Sequence, residues 1–152
     1  MSSSTDRIEK QIFLKASRAR IWRALSNAEE FGDWFGAALK GQTFAPGQEA
    51  RGQITSCGHE HMVLSIRVER MEPERLLSFY WHPYAVDPKV DYTKEEPTLV
   101  VFELVDAEGG ILLKVVESGF DKVPAARRAE AFRLHEGGWE AQMNNIAKYV
   151  TA

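Results

Sequence analysis

Between Met62 and Glu117, apolar side chains recur at every second residue in four separate stretches. Met62, Leu64, Ile66 and Val68 alternate with Val63, Ser65, Arg67 and Glu69. Leu77, Phe79 and Trp81 alternate with Ser78, Tyr80 and His82. Val100, Phe102 and Leu104 follow, and then Leu113, Val115 and Glu117. A period of two places one set of side chains on one face of a strand and the other set on the opposite face. The Pro73-Glu74 and Gly109-Gly110 pairs mark tight turns, so neighbouring strands run antiparallel. A sheet of this kind has one apolar face and must find a cover for it.

The last third of the chain supplies that cover. Pro124 suits the first turn of a helix that continues to about Val150. Phe132, His135, Trp139, Met143, Ile146 and Val150 step by three or four and form one stripe along a rod about 40 Å long. Gly137 and Gly138 sit in its middle, where each costs roughly 1 kcal/mol relative to alanine. That cost predicts a kink or a close approach of another backbone.

The first third is read in the same way. Ile8 to Leu14 forms a first strand. Ser17 caps a helix over Arg18–Leu25, whose Ile21, Trp22 and Leu25 share one side. Asn27, with Glu30 three residues on, resembles a capping box, so a second short helix starts at Ala28 and ends near Gly36, carrying Phe31, Trp34 and Phe35. A strand over Glu49–Ser56 is entered through the Pro46-Gly47 turn. The connection from His82 to Thr98 is long for a hairpin, and loops of that length are either functional or mobile. The expected class is α+β: a curved antiparallel sheet of about six strands wrapped on a long C-terminal helix, with two short helices after the first strand. Residues 7–150 make one domain and residues 1–6 a flexible tail.

A chain of 152 residues, 44% apolar and 27% charged, matches one globular domain and excludes extensive disorder. The net charge of −3 argues against a nucleic-acid or anionic-membrane partner. One cysteine, Cys57, permits no intrachain disulfide and fits a reducing compartment. No apolar run is long enough for a signal segment or a bilayer span. The expectation is a cytoplasmic protein.

The element order resembles the helix-grip fold of the START-like, or SRPBCC, superfamily. Four stretches narrow the resemblance: Ile21–Gly36 (IWRALSNAEEFGDWFG), Val68–Trp81 (VERMEPERLLSFYW), Val115–Phe120 (VVESGF) and Gly137–Val150 (GGWEAQMNNIAKYV). Together they are similar to the Hsp90 ATPase activator homologue 1-like family in its bacterial single-domain form, across Arg7 to Val150. The resemblance implies a cavity between sheet and long helix. Superfamily members include lipid carriers, hormone receptors, polyketide cyclases and oxygenase domains. A fold alone does not settle which of these applies.

Trp34, Phe35, Phe79, Trp81, Phe102, Phe120, Phe132 and Trp139 are expected to face one interior. Such a set either fills a core or lines a pocket for an apolar ligand. With Ile66, Val115, Glu117, His135 and Met143, these residues other than Phe132 define the expected ligand-binding set, around a cavity of roughly a few hundred Å³. Glu117 shares the inward face with Leu113 and Val115, and a carboxylate there must be paired or protonated. It can orient a ligand or act with His135 as an acid–base pair. It can equally be a hydrogen-bonded strand-end carboxylate met by Ser118 or by the Trp139 N–H.

Cys57, His59 and His61 alternate, with Glu60 and His82 as the candidate helpers, but no fourth ligand is obvious and the spacing matches no strong zinc pattern. No metal and no cofactor are expected. Phosphate-binding glycine loops and a nucleophile elbow are absent from the sequence. The expectation is a non-enzymatic domain, monomeric or weakly dimeric, that binds a small hydrophobic or aromatic molecule. A cyclase- or hydrolase-type enzyme built on Glu117 and His135, and a chaperone-associated interaction module with a stress-response setting, are the alternatives.

Overall fold

Antiparallel strands form one open sheet in the computed structural model, which describes residues 6–55, 63–82 and 95–151. In chain order the elements are β1 (Arg7–Leu14), α1 (Arg18–Ser26), α2 (Ala28–Phe35), β2 (Glu49–Gln53), β3 (Val63–Glu72), β4 (Leu76–Trp81), β5 (Thr98–Ala107), β6 (Gly110–Ser118), a 3₁₀ turn (Phe120–Lys122) and α3 (Ala125–Thr151). The strands lie in the order β1-β6-β5-β4-β3-β2, so the first strand pairs with the last and the other contacts are sequential hairpin neighbours. Gly47 and Gly109 take positive φ at the turns where glycine is expected, and Glu74 adopts φ 61° in the turn between β3 and β4. A bulge between Val68 and Arg70 shifts the register of β3 against β4. The expected α+β helix-grip architecture is what the chain adopts.

Alternation decides what is buried. Leu64, Ile66 and Val68 of β3, Phe79 of β4, Val100, Phe102 and Leu104 of β5, and Leu113 and Val115 of β6 all face the core. Trp139, Met143, Ile146 and Val150 of α3 close over them, and α3 packs most closely on β1, α2 and α1. Phe31 of α2 is the hub of the filling. Its ring lies 4.8 to 6.4 Å from those of Trp34, Phe35, Phe44, Phe79 and Phe102. Each such aromatic pair adds about 0.5–1.5 kcal/mol beyond its area burial.

The caps behave nearly as expected. Ser17 Oγ accepts from the Arg20 N–H at 3.1 Å, and Asn27 Oδ1 accepts from the Glu30 N–H at 3.0 Å. The box itself is not closed, because the Asn27 N–H donates to the Arg23 carbonyl. The Glu30 carboxylate turns instead to Arg20 and Arg23, each at 2.8 Å, and accepts from the Tyr149 hydroxyl at 3.2 Å, joining α1, α2 and α3. Two charges and a third helix within reach outweigh one backbone N–H.

Other expectations need correction or fall elsewhere. The second strand ends at Gln53, not Ser56, because Ile54 leaves the ladder to bridge Ala37. Gly137 and Gly138 mark no close approach: α3 runs unbroken through both, and a Cβ built at either would meet nothing within 4 Å. Cys57, His59, Glu60, His61 and most of the 82–98 connection lie outside the described residues, as does most of the expected tail. Among the described residues, no helix is long and apolar enough to cross a membrane.

Two other glycines do mark close approaches. The segment after α2 is threaded between α2 and β2: Ala38 N–H donates to the Gln53 carbonyl at 2.8 Å and Thr55 N–H to the Gly36 carbonyl at 2.9 Å. A Cβ at Gly32 would stand 2.2 Å from the Ala37 oxygen, and one at Gly52 2.1 Å from the Ala38 oxygen. Both contacts are with backbone that is already hydrogen-bonded and cannot step aside. Gly52→Ala should therefore destabilise the fold by about 2–3 kcal/mol, read as a lower urea midpoint. An unchanged midpoint would show that the 36–39 segment is free to move.

Candidate functional site

The site is organised by one carboxylate. Glu117 stands on the inward face of β6 near its end, flanked in register by Ile8 of β1 and Val100 of β5, and it has no exposed surface. Leaving such a group unpaired would cost several kcal/mol. Each of its oxygens is met by two donors. Oε1 accepts from His135 Nδ1 at 2.7 Å and Trp139 Nε1 at 2.8 Å. Oε2 accepts from Trp81 Nε1 at 2.7 Å and Thr98 Oγ1 at 2.5 Å.

Local structure explains why these groups converge. His135 and Trp139 are four apart on α3, so they share one face. Trp81 is the last residue of β4 and pairs in register with Thr98, the first of β5, which brings an indole and a hydroxyl to one spot. Because an ionised carboxylate only accepts, the proton of this histidine bond sits on Nδ1.

Burial acts to raise the Glu117 pKa. It is outweighed by the hydrogen bond and charge of His135 and by the hydrogen bonds of Thr98 and Trp81, which hold the carboxyl below its ordinary 4.5. A lowered folded value means that the anion stabilises the fold above the unfolded pKa. That contribution is lost as pH falls through the folded value.

On the outer side of this network the two indoles stack, 5.6 Å apart at 26°, with Phe35 at 5.8 Å from Trp81 and 6.2 Å from Trp139. These three rings, with Leu134, His135, Gly138 and Gln142 of α3, border a surface hollow of about 130 Å³ that is open to solvent on one side. This is smaller than the few hundred Å³ expected between sheet and helix, because the rings around Phe31 occupy the space. Gln142 stands at its edge, its Nε2 donating to the Phe35 carbonyl at 2.8 Å and its Oε1 accepting from Asn145 at 3.1 Å.

The structure brings together part of the expected ligand-binding set. Phe35, Trp81, His135 and Trp139 line the hollow, and Glu117 lies directly behind them. Phe102 backs Trp139 at 5.6 Å, and Phe120 packs on His135 at 5.8 Å and on Phe132 at 5.2 Å. Trp34, Ile66, Phe79, Val115 and Met143 are core residues away from the opening, and the Trp34 N–H is spent on the Ala24 carbonyl at 2.8 Å. Thr98, Leu134, Gly138 and Gln142 were not anticipated. Helical spacing from His135 and Trp139 would have found the last three, since residues 134, 135, 138, 139 and 142 share a face. Thr98 required the β4–β5 register.

A wider opening, about 660 Å³, lies among Glu49, Ser65, Arg67, Glu69, Tyr80 and His82. Most of these positions alternate with the core positions, so the opening lies largely on the other face of β3 and β4; Val68 and Trp81 also border it, and through the Trp81 N–H it adjoins the Glu117 network. Several of its polar groups bond one another: Ser65 donates to Glu49 at 3.0 Å, and Tyr80 donates to Glu69 at 3.0 Å. Among the described residues no group of three His, Cys, Asp or Glu is placed to hold a metal.

Glu117→Gln replaces one acceptor oxygen by a donor facing donors. It should cost about 2–4 kcal/mol at pH 7. Urea midpoints followed from pH 7 to pH 3 should also show a wild-type loss below about 4.5, the ordinary carboxyl value, that the variant lacks. Equal acid limbs in the two proteins would mean that Glu117 is not the group that titrates.

Several solved structures share this architecture. Protein MLL2253 from Mesorhizobium loti superposes with a TM-score of 0.71 at 23% identity, covering 93% of this chain and 94% of that one. Protein Ms6760 from Mycobacterium smegmatis gives 0.74 at 15% identity, covering 99% and 94%. The Aha1 dimer from Colwellia psychrerythraea gives 0.67 at 14%, covering 95% of each chain. Identities this low establish a common fold only. No curated protein matches the chain in sequence. The family model for Activator of Hsp90 ATPase homolog 1-like protein does match, over residues 15–151, and the chain belongs to that family.

Proposed function

We propose that the domain binds a small apolar or aromatic group in the hollow between the end of β4, the end of α2 and the middle of α3, without doing chemistry on it. The observation that carries this reading is the wall itself. The Trp81, Trp139 and Phe35 rings and the Leu134 side chain bound the space, while both indole N–H groups are turned away to Glu117. A site of this kind rewards carbon surface and makes few polar demands. Its volume of about 130 Å³ is on the scale of a single aromatic ring, and unlike a sealed apolar cavity that takes up benzene it is open to solvent on one side. One ring fits within it; a sterol or a long acyl chain would extend beyond its walls.

The acid–base alternative has less support. A carboxylate that already accepts four hydrogen bonds is a stabilised anion and a poor base, and it holds no proton to give at neutral pH. The chaperone-contact alternative rests on family membership and on a short outer-face row, Phe13–Leu112–Val105, across β1, β6 and β5. The row is one residue wide, with Phe13 and Val105 exposed, which is a narrow basis for an interaction patch.

Titration of toluene into ¹⁵N-labelled protein tests the reading. The indole N–H resonances of Trp81 and Trp139 should shift and saturate, with a Kd on the order of 0.1–1 mM. Those of Trp22 and Trp34, which lie away from the hollow, should stay in place. Uniform or absent shifts would overturn it.

A further inference from the structure

We infer that Gly138 sets the size of the hollow, so that the missing side chain at this position determines which ligands enter; the inference rests on the binding reading above. Gly138 lines the hollow and Gly137, its neighbour, does not. Neither residue needs to be glycine for backbone reasons, since neither has positive φ. Neither is needed for packing, since a Cβ at either would meet nothing within 4 Å. Both sit in the interior of a 27-residue helix, where alanine is the more stable choice. At position 137 the structure offers no reason for glycine.

At position 138 a side chain would enter the open mouth of the hollow, which Gly138 borders. In a helix the Cα–Cβ bond leans toward the N-terminus. A side chain at 138 therefore leans toward the preceding turn, on the face of α3 that carries Leu134 and His135 and borders the hollow. A methyl group there takes up roughly the 30 Å³ share of one water molecule, about a quarter of the hollow's volume of about 130 Å³. A leucine fills most of it. The glycine thus trades helix stability for open volume on the one face where volume has a use.

The experiment compares Gly137→Ala, Gly138→Ala and Gly138→Leu with the wild type, using melting temperature and the toluene titration together. Both alanine variants should melt about 2–4 °C higher. Gly137→Ala should bind toluene within about twofold of wild type. Gly138→Ala should bind it about tenfold more weakly, the scale on which one methyl group counts in an apolar pocket, and should shift its preference from toluene toward benzene. Gly138→Leu, shown folded by its melting temperature and its resonance dispersion, should leave the Trp81 and Trp139 signals unmoved.

Wild-type-like toluene affinity in both Gly138 variants would overturn the inference and leave the binding reading standing. A wild type that ignores toluene would remove the binding reading and the inference with it. Equal weakening in Gly137→Ala would show a general effect of helix stiffening and would also overturn the role assigned to Gly138.

Discussion

A carboxylate without exposed surface must be met on both oxygens, and at Glu117 that requirement organises the end of the molecule where β4, β5, β6 and α3 meet. Its donors come from three of those elements: Trp81 from β4, Thr98 from β5, and His135 and Trp139 from α3. Hydrophobic contact between helix and sheet is directionless and would allow α3 to slide or rotate. Four hydrogen bonds to one anion do not allow it. They fix the register of the helix over the sheet and the orientation of two large indoles. Because the N–H edges of both indoles face inward, their carbon surfaces are left to make a wall.

The hollow is a by-product of that orientation and of how the rest of the grip is filled. Phe31, carried in by a short helix, packs against five other rings and occupies the region where a roomier cavity would lie. Among the described residues, space remains at the end, between the stacked indoles and the stretch of α3 that carries Leu134 and Gly138. Core aromatics set the limit on what can be bound; the carboxylate network sets where it is bound.

The two openings described above differ in chemistry chiefly for one reason. Strand alternation assigns inward positions to apolar residues and outward positions to polar ones, so the smaller hollow has carbon walls. The larger one carries Glu49, Ser65, Arg67, Glu69 and Tyr80, several of them bonded to one another. Volume alone would favour the outer opening. The wall chemistry favours the inner one, where two indoles and the Phe35 ring present carbon surface.

Much of this was legible in the sequence, and for local reasons. The period-two stretches, the 3.6-residue stripe from Phe132 to Val150, the Ser17 and Asn27 caps and the turn glycines each depend on a few neighbouring residues, so the order of elements could be read directly. The inward position of Glu117 and its proximity to His135 and Trp139 followed from the same periodicities. Tertiary structure alone decided the rest. Thr98 and Trp81 reached the carboxylate through a cross-strand register that no local pattern encodes. Glu30 gave up its cap for two arginines from another helix. The core aromatics and the pocket aromatics looked alike in sequence because composition and spacing say that a ring is buried, not whether another ring already fills the space in front of it. Gly137 and Gly138 in mid-helix point by sequence to a kink or a close approach, and the packed structure shows instead that Gly138 borders open space. Local chemistry determines which face a residue occupies; the sum of all the volumes determines what is left empty.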